Sequence, residues 1–267
     1  MPLIRPFEGL ASECDWVALR ELVPAGSAPL HLAEYADRDV TLATTLPQAL
    51  PALVRADGRV LLGLQVHAAG NDVSRDLAAA LSRALAAEPG SQLEPQGLPG
   101  EGPRLQDLLT DDPLEVTVHA DFGFWLDGAG ADDAQVQATL ERANSAIIPT
   151  AKLAGLEAAY WCHVGDKAHL RWVLPYPEEA LLDALARLSA AGTIDLGEGT
   201  RYAGSFRAHG LLAPVWDLPS DAPAERWQEP AAEFEQRLAG VLTEDTPLTD
   251  TQRRARAGLR GRQLTLR

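Results

Sequence analysis

Residues 114–126 (LEVTVHADFGFWL) alternate between apolar and polar positions. Leu114, Val116, Val118, Ala120, Phe122, Phe124 and Leu126 fall on one side of an extended chain. Glu115, Thr117, His119, Asp121 and Trp125 fall on the other. A period of two sustained this long predicts a strand with one buried face. The patterns that follow predict helix 132–148, strands 153–164 and 168–174, helix 177–191, strands 201–208 and 211–216, and helix 223–243. Strand, helix, strand, strand, helix, strand is the order of a ferredoxin-like sandwich, here with an extra hairpin strand and C-terminal helices.

The earlier part of the chain predicts helix 14–22, strands 28–33 and 39–46, helix 47–56, strand 59–67 and helix 72–87. Asn71, Asp72 or Ser74 can cap the last helix by accepting from its free N–H groups. Two stretches share one plan. Residues 15–47 run helix, Leu22-Val23-Pro24, two strands, Leu46-Pro47. Residues 134–175 run helix, Ile147-Ile148-Pro149, two strands, Leu174-Pro175. An internal repeat of this kind predicts two related α+β modules.

Residues 88–104 hold four Gly and four Pro in seventeen positions, a density that predicts a linker or long surface loop. The expected organisation is therefore an N-terminal module 1–87, a linker 88–104, a ferredoxin-like module 105–243, and a helix with an Arg-rich tail over 244–267. Twelve of the fifteen aromatic residues follow the linker, which places the larger core in the C-terminal part.

Two tight turns set the registers expected there. Val164-Gly165-Asp166-Lys167 opposes Cys162 to His169, Tyr160 to Arg171 and Trp161 to Leu170. Ala208-His209-Gly210-Leu211 sorts Tyr202, Gly204, Phe206, Ala213 and Val215 onto one side, and Arg201, Ser205, Arg207, Leu212 and Trp216 onto the other. If the apolar sides face the helices, the open sheet face collects His119, Asp121, Trp125, Tyr160, Cys162, His169, Arg171, Arg201, Ser205, Arg207 and Trp216. Arginines and aromatics on a flat sheet suit an anion, a nucleotide or a peptide strand. The alternative is that the N-terminal module covers this face and acids pair with its arginines.

Charge narrows the partners. The net charge is −15, which argues against a nucleic-acid coat or an anionic membrane as the general partner. The distribution is uneven: all 38 acids lie at or before Asp250, and Arg253, Arg254, Arg256, Arg260, Arg262 and Arg267 follow. Such a tail can dock on the acidic body, on another copy, or on RNA. Lysine occurs only at 152 and 167, so arginine use reflects a GC-rich coding bias before it reflects chemistry. Cys14 and Cys162 show neither disulfide nor zinc spacing, the N-terminus has no signal-peptide core, and no apolar run approaches the ~20 residues of a membrane span. A cytoplasmic protein is expected.

Candidate chemistry is sparse. Cys162 opposite His169, with Asp121 on the adjoining polar face, has the residue types of nucleophile, base and orienter. A strand cysteine is otherwise a small buried hydrophobe. His163 and His169 fall on opposite sides of their hairpin, so no metal site is expected. Residues 197–210 carry four glycines without the Walker pattern, and Asp107, Asp111 and Asp112 lack EF-hand spacing. No cofactor is expected.

Several segments carry a resemblance: Arg5-Pro6-Phe7-Glu8-Gly9-Leu10, Ser74-Arg75-Asp76-Leu77-Ala78, Ala158-Ala159-Tyr160-Trp161-Cys162, Leu170-Arg171-Trp172-Val173-Leu174-Pro175, Gly197-Glu198-Gly199-Thr200-Arg201-Tyr202, Ser205-Phe206-Arg207-Ala208-His209-Gly210 and Gly261-Arg262-Gln263-Leu264-Thr265. Through them nearly the whole chain resembles a family of unknown function from GC-rich actinobacteria. Some of its members are labelled preprotein translocase SecA-like through a Cys-rich SEC-C zinc motif. This chain has no such motif and no Walker A loop, so the resemblance implies no activity and no functional residues.

The reading that follows is a non-enzymatic binding or adaptor protein acting on a protein or a small anionic ligand. One alternative is a small enzyme for an anionic metabolite held by Arg171, Arg201 and Arg207, with Cys162 or His169 as nucleophile or base. The other is RNA or ribosome association through the tail.

Overall fold

The computed structural model describes residues 3–66, 70–126 and 133–262. Met1, Pro2, the ends of the expected strand 59–67 and helix 132–148 at His67 and Asp132, residues 263–265 of the terminal motif, and Arg267 lie outside the described residues. The fold is α+β with two sheets, and the chain divides into two compact units, Met1–Ile148 and Pro149–Arg267. The expected division ran through the 88–104 linker, and the expected C-terminal module began at 105.

Unit 1 comprises α1 (Glu13–Glu21), β1 (Gly26–Leu30), β2 (Val40–Ala43), β3 (Ala52–Val54), β4 (Val60–Gly63), α2 (Val73–Leu85), β5 (Gln92–Leu93), α3 (Leu105–Leu108), β6 (Thr117–Val118) and α4 (Ala134–Asn144). Its sheet runs β5-β3-β4-β2-β1-β6, with β2 and β4 parallel and the other neighbours antiparallel. Helix α2 starts where expected, because the Asp72 carboxylate accepts from Ser74 N at 3.1 Å. Its Leu77, Ala78, Leu81 and Ala84 form the buried stripe.

Three expectations fail in this unit, each for a local reason. The helix expected over 47–56 is one turn, Pro47–Ala49, followed by β3. Leu50 precedes Pro51, and its φ of −56° and ψ of 139° are the extended geometry that a following proline favours. The repeat therefore loses its second helix here. The thirteen-residue strand over 114–126 shrinks to Thr117–Val118, paired with Ser27 and Gly26 of unit 1. Asp121 Oδ1 accepts from Gly123 N at 2.7 Å, an Asx turn that bends the chain into the helical turn Gly123–Trp125. Finally, the Pro/Gly-rich segment is not free of regular structure, since Leu93 and Gln92 pair with Ala52 and Leu53 of β3.

Unit 2 comprises β7 (Thr150–Lys152), β8 (Ala159–Val164), β9 (Lys167–Trp172), α5 (Glu178–Ala190), β10 (Arg201–Ala208), β11 (Leu211–Leu218), α6 (Gln228–Leu242) and α7 (Asp250–Gly261). The strand order is β10-β11-β9-β8-β7 and every neighbour is antiparallel. The ferredoxin-like order is not reproduced, because β11 lies between β9 and β10, where that fold would place its first strand. Its expected first strand sits in the other unit.

The core of unit 2 joins Leu170, Trp172, Leu212, Trp216 and Leu218 of the sheet to Leu181, Leu185, Phe234 and Leu238 of the helices. The β8–β9 register is the expected one, Cys162 opposite His169 and Trp161 opposite Leu170. The β10–β11 register also follows its turn from Ala208–Leu211 to Gly204–Val215, but then shifts at a bulge so that Tyr202 faces Trp216. The sides of this hairpin are inverted from the expectation. Trp216 lies opposite Leu170, and so faces the helices, while Val215 lies opposite Arg171. Strand β11 has six consecutive buried residues, so its alternation could not say which side was inner.

Candidate functional site

The expected sheet-face cluster separates into several environments. His119, Asp121 and Trp125 belong to unit 1. His119 Nε2 lies 2.7 Å from Ser27 Oγ and its ring stacks on Phe124 at 4.3 Å. Burial pushes its pKa down, against the smaller pull of Asp121. Trp125 is a core residue, stacked on Phe122 with its indole N–H donated to Thr45 O at 2.9 Å. Trp216 is likewise core. It donates to Ile194 O at 2.9 Å and meets Phe234 edge-on at 4.9 Å. Arg207 projects to the helix side and pairs with Glu178 at the start of α5, Nε to Oε2 at 2.6 Å.

On the helix-averted face, one cross-strand row does form. Thr150, Cys162, His169, Asp217 and Arg201 oppose one another in sequence across the five strands. His169 Nδ1 is 3.2 Å from Asp217 Oδ1, and Arg201 pairs with the other carboxylate oxygen. The group beside the histidine is therefore Asp217, not Asp121; a bulge at residue 203, invisible to the pattern, brings Arg201 to this side. Cys162 is 1% exposed, and burial pushes its thiol pKa up against the smaller opposing effect of Arg171. Burial pushes His169 down, opposed by Asp217. Nor is this face open: Tyr160, which carries Lys152 Nζ 6.0 Å above its ring, is buried, as are Phe206, Ala213 and Val215. Arg171 has no carboxylate partner among the described residues.

The Arg-rich tail turns towards the chain's own acids. In α7, Arg256 pairs with Glu179 and Asp183 of α5, and Arg260 with Glu179. Arg253 pairs with Asp250 within the helix, while Arg254 bonds to Asp250 O and Thr251. The Arg262 carbonyl accepts from Ser205 N of edge strand β10 at 3.2 Å. Leu259 is the one buried side chain of α7.

The site that sequence reasoning missed is in unit 1. Residues 95–103 lie over one face of α2 and leave a partly open cavity of about 450 Å³. Arg75 and Arg83 hold the two ends of the arch: Arg75 donates to Gly102 O, and Arg83 Nη2 to Glu94 O at 3.2 Å. Ala79, Ala80, Pro51, Val66, Leu98 and Pro99 supply apolar wall, and Ser82, Gln96, Asp76 and Glu101 supply polar groups. Gln48 and Ala49, at the rim, both have left-handed backbone with φ of 57° and 55°. Consecutive non-glycine residues in that region cost of order 1–3 kcal/mol each, and such strain collects at binding sites. Leu98 is 76% exposed, a large apolar residue held at the cavity rather than in a core. The available signals were the Ser74-Arg75-Asp76 motif and the Pro/Gly density, read separately as a helix start and a spacer. Among the described residues no cluster of His, Cys, Asp and Glu is placed to hold a metal. None of their helices is long and apolar enough to cross a membrane.

These features define a two-unit α+β protein with a partly open cavity in its first unit and a self-docked basic helix in its second. Over residues 6–267 the chain matches the family of unknown function DUF5926, and it belongs to that family. No curated protein and no solved structure matches it.

Proposed function

We propose that this is a binding protein, and that a small, largely apolar ligand occupies the cavity between α2 and residues 95–103. The cavity itself carries the reading. Its volume of about 450 Å³ falls in the ~300–1,000 Å³ range of small-molecule sites. Its wall is mostly small and apolar, with a few polar groups that can orient a ligand. An arch fastened at both ends by arginine side chains can open without disturbing the sheet, because Arg75 and Arg83 bond only to its backbone carbonyls. The enzymatic alternative draws no support from Cys162, a buried thiol pushed away from the thiolate. RNA association through the tail draws little, because Arg256 and Arg260 face carboxylates of α5.

The test uses the neutral apolar dye N-phenyl-1-naphthylamine, whose fluorescence rises on entering an apolar site. Saturable binding is expected in the full-length protein and its loss in Ala79→Trp, which fills the cavity from α2. A second variant replaces residues 95–102 with a Gly/Ser segment and should also lose the site. Absence of saturable binding, or binding unchanged in both variants, refutes the proposal.

A further inference from the structure

We infer that the ligand of this cavity is a monoanionic amphiphile, with its acidic head against Arg83 and its apolar body lying along α2 towards Arg75. The inference rests on the binding reading above and adds the ligand's charge and orientation.

The two arginines are eight residues apart on one helix, about 12 Å at 1.5 Å per residue. They are therefore at opposite ends of the cavity. Each uses one donor on a carbonyl of the arch. A guanidinium has five N–H donors, so several remain on each. Among the described residues neither has a carboxylate within ion-pair distance.

The ends differ in their surroundings. Asp76 lines the cavity next to Arg75, and Glu101 lines it next to Gly102, the residue that Arg75 holds. Two carboxylates thus offset the positive charge at that end. At the Arg83 end the polar lining residues are Ser82 and Gln96, both uncharged, and Glu94, whose carbonyl Arg83 holds, is exposed outside the lining. The lining charge is consequently polarised, positive at Arg83 and net negative at the Arg75 end, where one guanidinium meets two carboxylates. Between them α2 presents Ala79 and Ala80, small enough to leave room for an alkyl or ring body. A carboxylate or phosphate head would replace water on the spare Arg83 donors with charge-assisted bonds.

The test displaces N-phenyl-1-naphthylamine with octanoate and, in parallel, with 1-octanol, which keeps the chain and removes the charge. Octanoate is expected to compete at about tenfold lower concentration than octanol, the size of one charge-assisted hydrogen bond. Arg83→Gln should abolish that preference, octanoate losing about tenfold more affinity than octanol. Arg83→Lys should retain most of it, and Arg75→Gln should alter it by less than about threefold. Because Arg83 also fastens the arch, mere loosening would weaken octanol and octanoate together. Equal competition by the two probes in the parent protein overturns the inference, as does equal weakening of both in Arg83→Gln. Either result leaves the cavity reading standing, whereas failure of the dye to bind removes both.

Discussion

Helix α7 should open from the body of unit 2 as a unit when its one fully buried side chain is cut back. Leu259 is 4% exposed and belongs to the cluster with Leu182, Leu185 and Leu212. The remaining attachments are the half-buried Ala255 on the same cluster, ion pairs to α5, and the Ser205 N to Arg262 O bond. The pairs are largely at the surface, where screening leaves each worth little. Truncating a buried leucine to alanine costs about 2–3 kcal/mol, including the space left behind. The open population should therefore rise by about 30- to 150-fold, taking RT as ~0.59 kcal/mol. Hydrogen exchange resolved by segment measures it directly. In Leu259→Ala the amides of α7 should exchange faster by that factor, while those of α5 and α6 keep their rates. Raising sodium chloride from 0.1 to 1 M shortens the screening length from ~10 to ~3 Å and should speed α7 exchange further. Trypsin should cut first between Arg253 and Arg262. A change below about threefold in α7, or an equal change across all three helices, would refute the idea that the helix is attached mainly through Leu259.

Three further outcomes follow from the geometry. His169 has a folded pKa below its ordinary value, so the unfolded chain takes up more protons as pH falls through about 6.5. Its contribution to stability is full above that value and is lost towards the lower folded pKa; Tm should fall from pH 7.5 to 5.5, with a shallower slope in His169→Gln, and an unchanged slope would refute it. The thiols of Cys14 and Cys162, both buried, should resist Ellman's reagent at pH 8 until guanidinium unfolds the chain, and prompt reaction of Cys162 would revive the nucleophile reading. Trp216→Leu should cost about 3–4 kcal/mol in denaturant melts, through lost aromatic contacts and the unpaired Ile194 carbonyl; a loss under about 1 kcal/mol would place the indole outside the core.

Local signals in this chain were legible in proportion to how few residues each depended on. The turns at Gly165-Asp166 and His209-Gly210 set two registers correctly, because a two-residue loop leaves one pairing available. Asp72 marked the start of α2 for the same reason. Alternation said less where the environment was two-sided. In 114–126 it recorded burial at Phe122 and at Leu114, yet the chain between them turns away from the sheet after Val118. In β11, where residues 211–216 are all buried, it could not tell inner from outer face, and Arg207 and Trp216 were assigned to the wrong side. The ferredoxin-like order failed as a consequence, since one misplaced strand changes the whole topology.

The missed cavity has a different cause. A segment with prolines at 95, 99 and 103 and glycines at 97, 100 and 102 cannot supply its own backbone hydrogen bonds in a regular ladder. Read alone, that is the composition of a spacer. A spacer with no anchors would gain nothing by lying against a helix, because ordering each residue costs about 1–2 kcal/mol of conformational entropy. Here β5 pins one end to β3, Arg104 pins the other to Asp72 at 2.8 Å, and Arg75 and Arg83 hold the span between them. None of those partners is close in sequence, so no window around the loop contains the information. The same stiffness that excludes helix and strand keeps the arch from collapsing onto Ala79 and Ala80. The space beneath it is thus a property of the loop's composition and its distant anchors together.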